Sequence, residues 1–424
     1  MTKEELRSLL YSHLQTAIEI ELSTIPIYLY TYYSINRQPQ DTDNLSNGRA
    51  LATFANKAGG LLMSVAVEEM LHMSLSSNIL RALGGEPKLY CKSPGPFPTN
   101  LPHHKAGSQD SFGLEPFSAA QLKKFELIEL PEKEDSKPQA DNWTTIGQFY
   151  RYIAELIEQT DDSDYGNDEH QLEAHRGYYS PNNVDTVYPK DAYYIKQPED
   201  PFDPVKRGAS QAQYPDNRDS GLLMKIRNKK DALKAMRKIM LQGEGFQDSQ
   251  THEEDDREGN EQTHWYKYEE LLKEIKAFSD KDLQIITYPF PSNPTRANYP
   301  SQFLPLVDLA NATYSYLFLL TETAFRLRGH AQAALFFIGM HKGMIFILDK
   351  ILGGMRYQYL NNEQGQVLAP TFENYAFSSL ASAKKELIAL CEAVPASMGL
   401  DSNILQRIKD LPDVNVGPDG IVRF

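Results

Sequence analysis

The sequence predicts a mainly α protein: a helical bundle with long loop insertions and additional C-terminal helices. Apolar residues recur at helical spacing in two long segments near the N-terminus. Two further strongly apolar segments, at about residues 303–328 and 330–353, predict helices in the C-terminal third. Stretches rich in Pro, Asp, Asn and Tyr at about 86–141 and 160–220 interrupt the helical pattern and predict long insertions.

The first helix is predicted to begin near Lys3, because Thr2 and Glu5 have the spacing of a capping box. Its apolar stripe contains one carboxylate and reads Leu6, Leu10, Leu14, Ala17, Glu21, Ile25, Leu29. The second helix is predicted at about residues 52–83, ending before Gly84. Its stripe reads Leu62, Val65, Glu69, His72, Ser76, Ile79.

These two stripes contain side chains that bind metals. A carboxylate in a buried stripe costs several kcal/mol unless it is paired or bound to a cation. Glu69 and His72 are three residues apart, so both project from one face of their helix. A Glu on one helix with Glu-x-x-His on the next is typical of half of a di-iron or di-manganese carboxylate site. The pattern therefore predicts Glu21, Glu69 and His72 as metal ligands.

The residue pattern leaves the other half of the site open. Glu155 and Glu158 lie on a helix predicted to follow Thr145, and Glu129 precedes a Leu-Pro pair. A rival set consists of Glu322 and His341 in the C-terminal helices, where a buried, hydrogen-bonded Glu and a core histidine are the simpler interpretation.

Composition narrows the function. The chain has 424 residues and a formal net charge of -14, which argues against nucleic acid as a partner. Two cysteines, Cys91 and Cys391, cannot form a disulfide framework, so we expect a cytoplasmic location. The sequence shows neither a signal peptide nor an uninterrupted apolar run of about 18 residues, so we expect no membrane partner. We predict a metal-binding bundle at 1–280 and a C-terminal helical region at 281–424 packed on it.

Several segments resemble one known family. They are LQTAIEIELSTIPIYLYTYYSI, EEMLHMSLSSNILRALGGEP, FELIELPE, TIGQFYRYI, QGEG followed by HWYKY, and APTFE. In this order they resemble the ferritin-like family of iminophenyl-pyruvate dimer synthases, which is related to part of the violacein, rebeccamycin and staurosporine enzymes that couple imines. The resemblance implies a ferritin-like bundle, a non-haem metal site, and Glu244 and His264 as ligands besides the three above.

The leading hypothesis is a non-haem di-metal oxidase or oxygenase acting on an amino-acid-derived small molecule in secondary metabolism, with oxidative imine coupling as its reaction. Iron is expected and manganese is the alternative. Glu21, Glu69 and His72 would hold one side, with Glu155, Glu244 and His264 on the other. Tyr28 and Tyr150 are candidates to line the pocket or relay electrons, although core packing is the simpler interpretation of each.

The expected partners are a small-molecule substrate and a haem enzyme or amino-acid oxidase of the same pathway, and a homo-oligomer is compatible with the sequence. Two alternatives lack catalysis: a ferritin-like protein that binds or stores metal, and a scaffold in a biosynthetic cluster. The sequence does not identify the substrate, the metal, the number of metal ions or the oligomeric state.

Overall fold

The computed structural model of the protein describes residues 1–37, 39, 45–105, 111–131, 136–173, 222–243, 263–416 and 422–423. Over these residues the chain is mainly helical, which confirms the predicted class. Pairing between extended segments there is limited to isolated bridges, such as that between Ile35 and Thr287. The helices are α1 (Lys3–Ser34), α2 (Gly48–Ala82), α3 (Ala119–Ile128), α4 (Ile146–Glu158), α5 (Lys229–Gly243), α6 (His264–Glu274), α7 (Asp280–Ile285), α8 (Leu304–Ala324), α9 (Gly329–Met355), α10 (Ala383–Glu392) and α11 (Ile404–Lys409).

The first helix begins as its sequence predicts. The Thr2 side chain accepts from the backbone N–H of Glu5, and the Glu5 side chain accepts from that of Thr2. The helix continues past Pro26 to Ser34 and is buried along most of its second half. It therefore forms a central element of the core, and not a surface helix with a single apolar face.

Helices α1 and α2 are antiparallel. The Tyr11 hydroxyl donates to the carbonyl of Leu83 at 2.6 Å, whereas Arg37, just beyond α1, donates to the carbonyl of Asn56 at 3.2 Å. The start of α1 therefore meets the end of α2, and the middles of the two helices face each other.

Four further helices pack around the central parts of α1 and α2. Helix α4 packs on α1, α5 packs on α2, and α4 and α5 pack on each other. The short helices α3 and α6 pack together, and α6 also contacts α2 and α5. The ends of α3 and α6 thus approach the bundle where α1 faces α2.

The C-terminal helices pack mainly among themselves, with α8 in contact with α9 and α10. Direct contacts join them to the bundle: Ser93 Oγ lies 3.2 Å from the Tyr314 hydroxyl, and the Tyr33 hydroxyl donates to Asp349 at 2.9 Å. Apolar residues of both parts belong to one core. The domain division near residue 280 stays a prediction.

Within the described ranges, three helices are long and apolar enough to cross a membrane, by length and composition alone. They are Gly48–Ala82, Ser301–Ala324 and Gly329–Met355, with 67%, 78% and 44% of the most apolar stretch buried inside the protein. The expectation of no membrane partner stays a prediction. In α2 the stretch is apolar because the helix crosses the core of the bundle.

The remaining differences concern short elements. The short helices α7 and α11 were not predicted. Helix α9 contains π-helical turns at Ala334–His341 and Met344–Leu348. Most of the insertion predicted at 160–220 lies outside the described residues.

Candidate metal centre

The antiparallel helices bring the first three predicted ligands together. Glu21 lies near the middle of α1, and Glu69 and His72 lie on the facing side of α2. Their exposed fractions are 3%, 3% and 2%. One ligand atom from each residue lies within 4.8 Å of the others. The three side chains therefore offer one buried cation position made of two carboxylates and an imidazole.

A second group of donors lies beside the first and shares one residue with it. Glu69, Glu129 and His264 also place one ligand atom each within 4.8 Å of the others. Glu129 ends α3 and His264 begins α6, so the packing of these two helices brings both residues to the bundle. Because Glu69 belongs to both groups, its carboxylate is placed to bridge two neighbouring cations.

The two imidazoles present the same ring nitrogen to this shared carboxylate. The Nδ1 atoms of His72 and His264 lie 3.6 Å and 3.1 Å from Glu69 Oε1. The rings are stacked, with centroids 5.5 Å apart and an angle of 27° between their planes. Both histidines thus direct Nδ1 toward Glu69 and Nε2 away from it.

The inward nitrogen of His264 tests whether these residues fit a metal. It is buried and makes no hydrogen bond among the described residues, although oxygens of Glu69 and Glu129 lie 3.1 Å and 3.5 Å away. A buried polar atom of this kind requires a partner. A cation between the nitrogen and the carboxylates would satisfy all three groups, and carboxylate and imidazole are suitable ligands for non-haem iron or manganese. The donor set therefore fits a metal pair.

Each of the three carboxylates accepts a hydrogen bond from a hydroxyl group. The pairs are Thr24 with Glu69, Tyr150 with Glu21, and Tyr28 with Glu129. The bond from Thr24 is 2.6 Å long and is made to Oε2 of Glu69, the oxygen that does not face the histidines. Such bonds orient carboxylates before a metal binds.

The outward nitrogens of the histidines have different partners. His72 Nε2 lies 3.2 Å from the side-chain oxygen of Gln242. His264 Nε2 lies 2.8 Å from Glu68 Oε2, and Lys267 donates to the same oxygen at 2.6 Å. One imidazole therefore contacts an amide, whereas the other contacts a carboxylate that is paired with a lysine.

Burial and neighbouring charges shift the pKa values of the side chains in this cluster. Burial, followed by the charge of Glu69, raises the pKa of Glu21 well above its ordinary value. Burial also opposes ionisation of Glu69, but the close contacts with Glu21, His264 and His72 outweigh it and hold the Glu69 pKa well below the ordinary value. Burial opposes the charge on His264 as well, yet Glu129 and the nearby carboxylates raise its pKa well above the ordinary value. Both shifts favour the protonated forms of Glu21 and His264, which lowers the net negative charge of the cluster.

Comparison with known proteins identifies the family. A model of the ferritin-like family matches residues 14–273, which is more than half of the chain. The chain belongs to the ferritin-like family. Over 173 residues it is 29% identical to a 2-imino-3-(indol-3-yl)propanoate dimerase from Chromobacterium violaceum, a match that covers 36% of this chain and 16% of the dimerase. A crystal structure of a ferritin-like protein from Caulobacter vibrioides aligns with a TM-score of 0.48 and 20% identity, covering 81% of this chain and 95% of that chain.

The third carboxylate of the two donor groups comes from the end of α3 and not from α4. Glu155 and Glu158 are exposed on α4, because the helix turns Ile153 and Ile157 toward the core. Glu155 therefore lies outside both donor groups, whereas Glu129, which was one of the alternatives, belongs to one of them. Helix α4 contributes a different residue, Tyr150, which donates to Glu21.

Of the other predicted ligands that the structure describes, one lies in the donor groups and two do not. His264 joins the cluster, whereas Glu244 lies outside the described residues. In the rival set, Glu322 accepts from the backbone N–H groups of Leu89 and Tyr90 and belongs to neither donor group. His341 is buried against Phe336 in α9 and also belongs to neither group.

The residues that contact the outward nitrogens were not predicted. Glu68 directly precedes Glu69 and so lies on a different face of α2, which is the face that meets α6. A usable signal was present: His264 and Lys267 are three residues apart, so one carboxylate can contact both.

Proposed function

We propose that the protein is a non-haem di-metal oxidase or oxygenase that binds iron and acts on an amino-acid-derived small molecule. The observation that carries this proposal is Glu69, a buried carboxylate shared by two donor groups. When bound, the metal pair would supply activation of O2 or peroxide and accept electrons from the substrate.

The ligands divide into a shared carboxylate and two outer sets. Glu21 and His72 would complete one position, and Glu129 and His264 the other, with Glu69 common to both. The tyrosines that donate to the outer carboxylates keep those groups oriented for the metal.

Metal loading would move protons at named atoms. The carboxyl proton of Glu21 and one imidazole proton of His264 would leave, because a metal requires ionised carboxylates and a neutral imidazole. The raised pKa values of both groups imply that binding strengthens as pH rises above their ordinary values.

Aromatic side chains close one side of the position formed by Glu69, Glu129 and His264. The Tyr28 ring lies edge-on to Phe125, with centroids 4.8 Å apart, and Tyr268 lies 5.3 Å from the Phe125 ring. All three side chains are buried. They would keep bulk water from the carboxylates and so strengthen the electrostatic hold on a cation.

The proposed substrate is an imine derived from an amino acid, and the proposed reaction is oxidative coupling. Support comes from the printed activity of the Chromobacterium relative, a dimerase of 2-imino-3-(indol-3-yl)propanoate. In the balanced reaction two imine molecules form one carbon–carbon bond and lose two protons and two electrons, which reduce O2 to hydrogen peroxide. An amino-acid oxidase or haem enzyme of the same pathway would supply or share the imine.

The test uses the full chain loaded with Fe²⁺ under anaerobic conditions. The loaded protein is then mixed with an amino-acid oxidase and aromatic amino acids, and O2 is admitted. The oxidase generates imines from that moment, and mass spectrometry would detect any coupled products. We expect dimer formation with the wild-type protein and with Glu322→Gln, a substitution of a buried glutamate outside the site. We expect none with Glu69→Gln.

Two results would overturn the proposal. Iron-loaded wild-type protein that leaves every imine unchanged would favour a metal-binding protein without catalysis. Equal dimer formation by Glu69→Gln and the wild type would show that the coupling does not depend on this site.

A further inference from the structure

The two donor groups have the same types of ligand, but the residues behind their imidazoles differ. Each group consists of Glu69, one further carboxylate and one imidazole. Among the described residues, the difference lies behind the imidazoles, where His72 contacts the Gln242 amide and His264 contacts the Glu68 carboxylate.

Lys267 holds the Glu68 side chain in contact with His264. Glu68 is fully buried, and Lys267, itself 3% exposed, donates to the oxygen that also faces His264. Glu68 Oε2 lies 2.6 Å from the Lys267 ammonium and 2.8 Å from His264 Nε2, so it is placed to accept from both. The Nε2 proton in turn leaves the lone pair of the neutral ring on Nδ1, which faces Glu69 and Glu129.

A hydrogen bond to a charged acceptor is shorter and stronger than one to a neutral amide. The distances agree, since the contact of His264 with Glu68 is 2.8 Å and that of His72 with Gln242 is 3.2 Å. An imidazole that donates to a carboxylate is the more basic ligand and is fixed in one tautomer.

We propose that Glu68 is a positioning residue for His264 and makes the two metal positions unequal. The position formed by Glu69, Glu129 and His264 fills first, and the position formed by Glu21, Glu69 and His72 fills second. This inference rests on the proposed metal centre, but it concerns the order of filling and not the reaction.

The test is an anaerobic titration of the full chain with Co²⁺, followed by calorimetry and by the visible absorption of the bound ion. We expect two steps of unequal affinity in the wild type. His72→Gln should keep the tighter step, whereas His264→Gln should keep only the weaker one.

The decisive variant is Glu68→Gln, which retains size but removes the charge. We expect the tighter step to weaken by about 10- to 100-fold while the weaker step changes little. Its absorption spectrum should also shift, because the ligand field of His264 changes. Glu322→Gln is the matched control and should leave both steps unchanged.

A second variant, Gln242→Glu, keeps the inference testable if Glu68→Gln does not fold. It places a carboxylate behind His72 and should strengthen the weaker step. Unchanged steps in Glu68→Gln, or unchanged steps in Gln242→Glu, would overturn the inference. Wild-type protein that binds no Co²⁺ would instead overturn the metal centre itself.

Discussion

Two regions of this molecule place glutamate and histidine in apolar helices, with different outcomes. In the bundle, Glu69 and His264 converge with other ligands, and an inward nitrogen faces two carboxylates. In the C-terminal helices, Glu322 binds two backbone N–H groups and Arg326, and His341 packs between aromatic rings. Burial of such residues is therefore common to both regions, whereas convergence of ligand atoms distinguishes the metal centre.

The largest expected effect is loss of metal from the bundle. Glu69→Gln removes the carboxylate that both donor groups share, so iron content should fall from about two atoms per chain, the number typical of such bundles, to nearly none. Elemental analysis of protein reconstituted with Fe²⁺ measures this. Glu322→Gln should retain the full content, and equal loss in both variants would show that the two regions are not distinct.

The next effect is on stability in the C-terminal region. Glu322→Ala leaves the backbone N–H groups of Leu89 and Tyr90 without their acceptor and should cost about 2 kcal/mol in free energy of unfolding. Urea denaturation monitored by circular dichroism measures this loss. Metal content should not change, and a variant that folds normally but binds no iron would contradict the structural role of Glu322.

A smaller effect concerns acid stability. Burial lowers the pKa of His341 to about 3, below its ordinary value of 6.5. Between pH 6.5 and about pH 3 the unfolded chain therefore binds a proton at His341 that the folded chain does not bind. The folded state loses stability as pH falls through this range. The loss is at most about 1.4 kcal/mol per pH unit.

His341→Phe should remove this contribution, which denaturant titrations between pH 7 and pH 4 would detect as a shallower pH dependence. Iron content at pH 7 should equal that of the wild type. An identical pH dependence in both proteins would contradict the assignment of His341 as a neutral core residue.

The smallest effect compares two tyrosine hydroxyls. Tyr150→Phe removes the donor to Glu21 and should weaken metal binding by about 1 kcal/mol, or roughly fivefold. Tyr314→Phe removes a hydroxyl that lies 3.2 Å from Ser93 and should affect stability by a similar amount without changing metal affinity. Calorimetric titration with Mn²⁺ separates the two, and equal affinities in all three proteins would contradict the role given to Tyr150.

The fold was largely predictable because its signals are local. The capping box at Thr2, the apolar stripes and the Gly84 stop are properties of neighbouring residues, and the observed α1 and α2 follow them within a few residues. Glu21, Glu69 and His72 were predictable for the same reason, since helical spacing alone shows that they share a buried face.

The second half of the site depends on tertiary packing. Glu129 lies at the end of a short helix outside any regular stripe, and it reaches the bundle only because α3 packs on α6. Glu155 lies on a helix of the bundle but on its exposed face. Spacing on one helix therefore cannot show which carboxylate completes the site.

The central claim is that two metal ions lie on either side of Glu69. A crystal of the full chain soaked with Mn²⁺ tests this most directly, through the anomalous scattering of manganese. We expect two peaks about 3.5–4 Å apart, one beside His72 and one beside His264, with Glu69 between them. A single peak away from Glu69, or a peak beside Glu322 and His341, would contradict it.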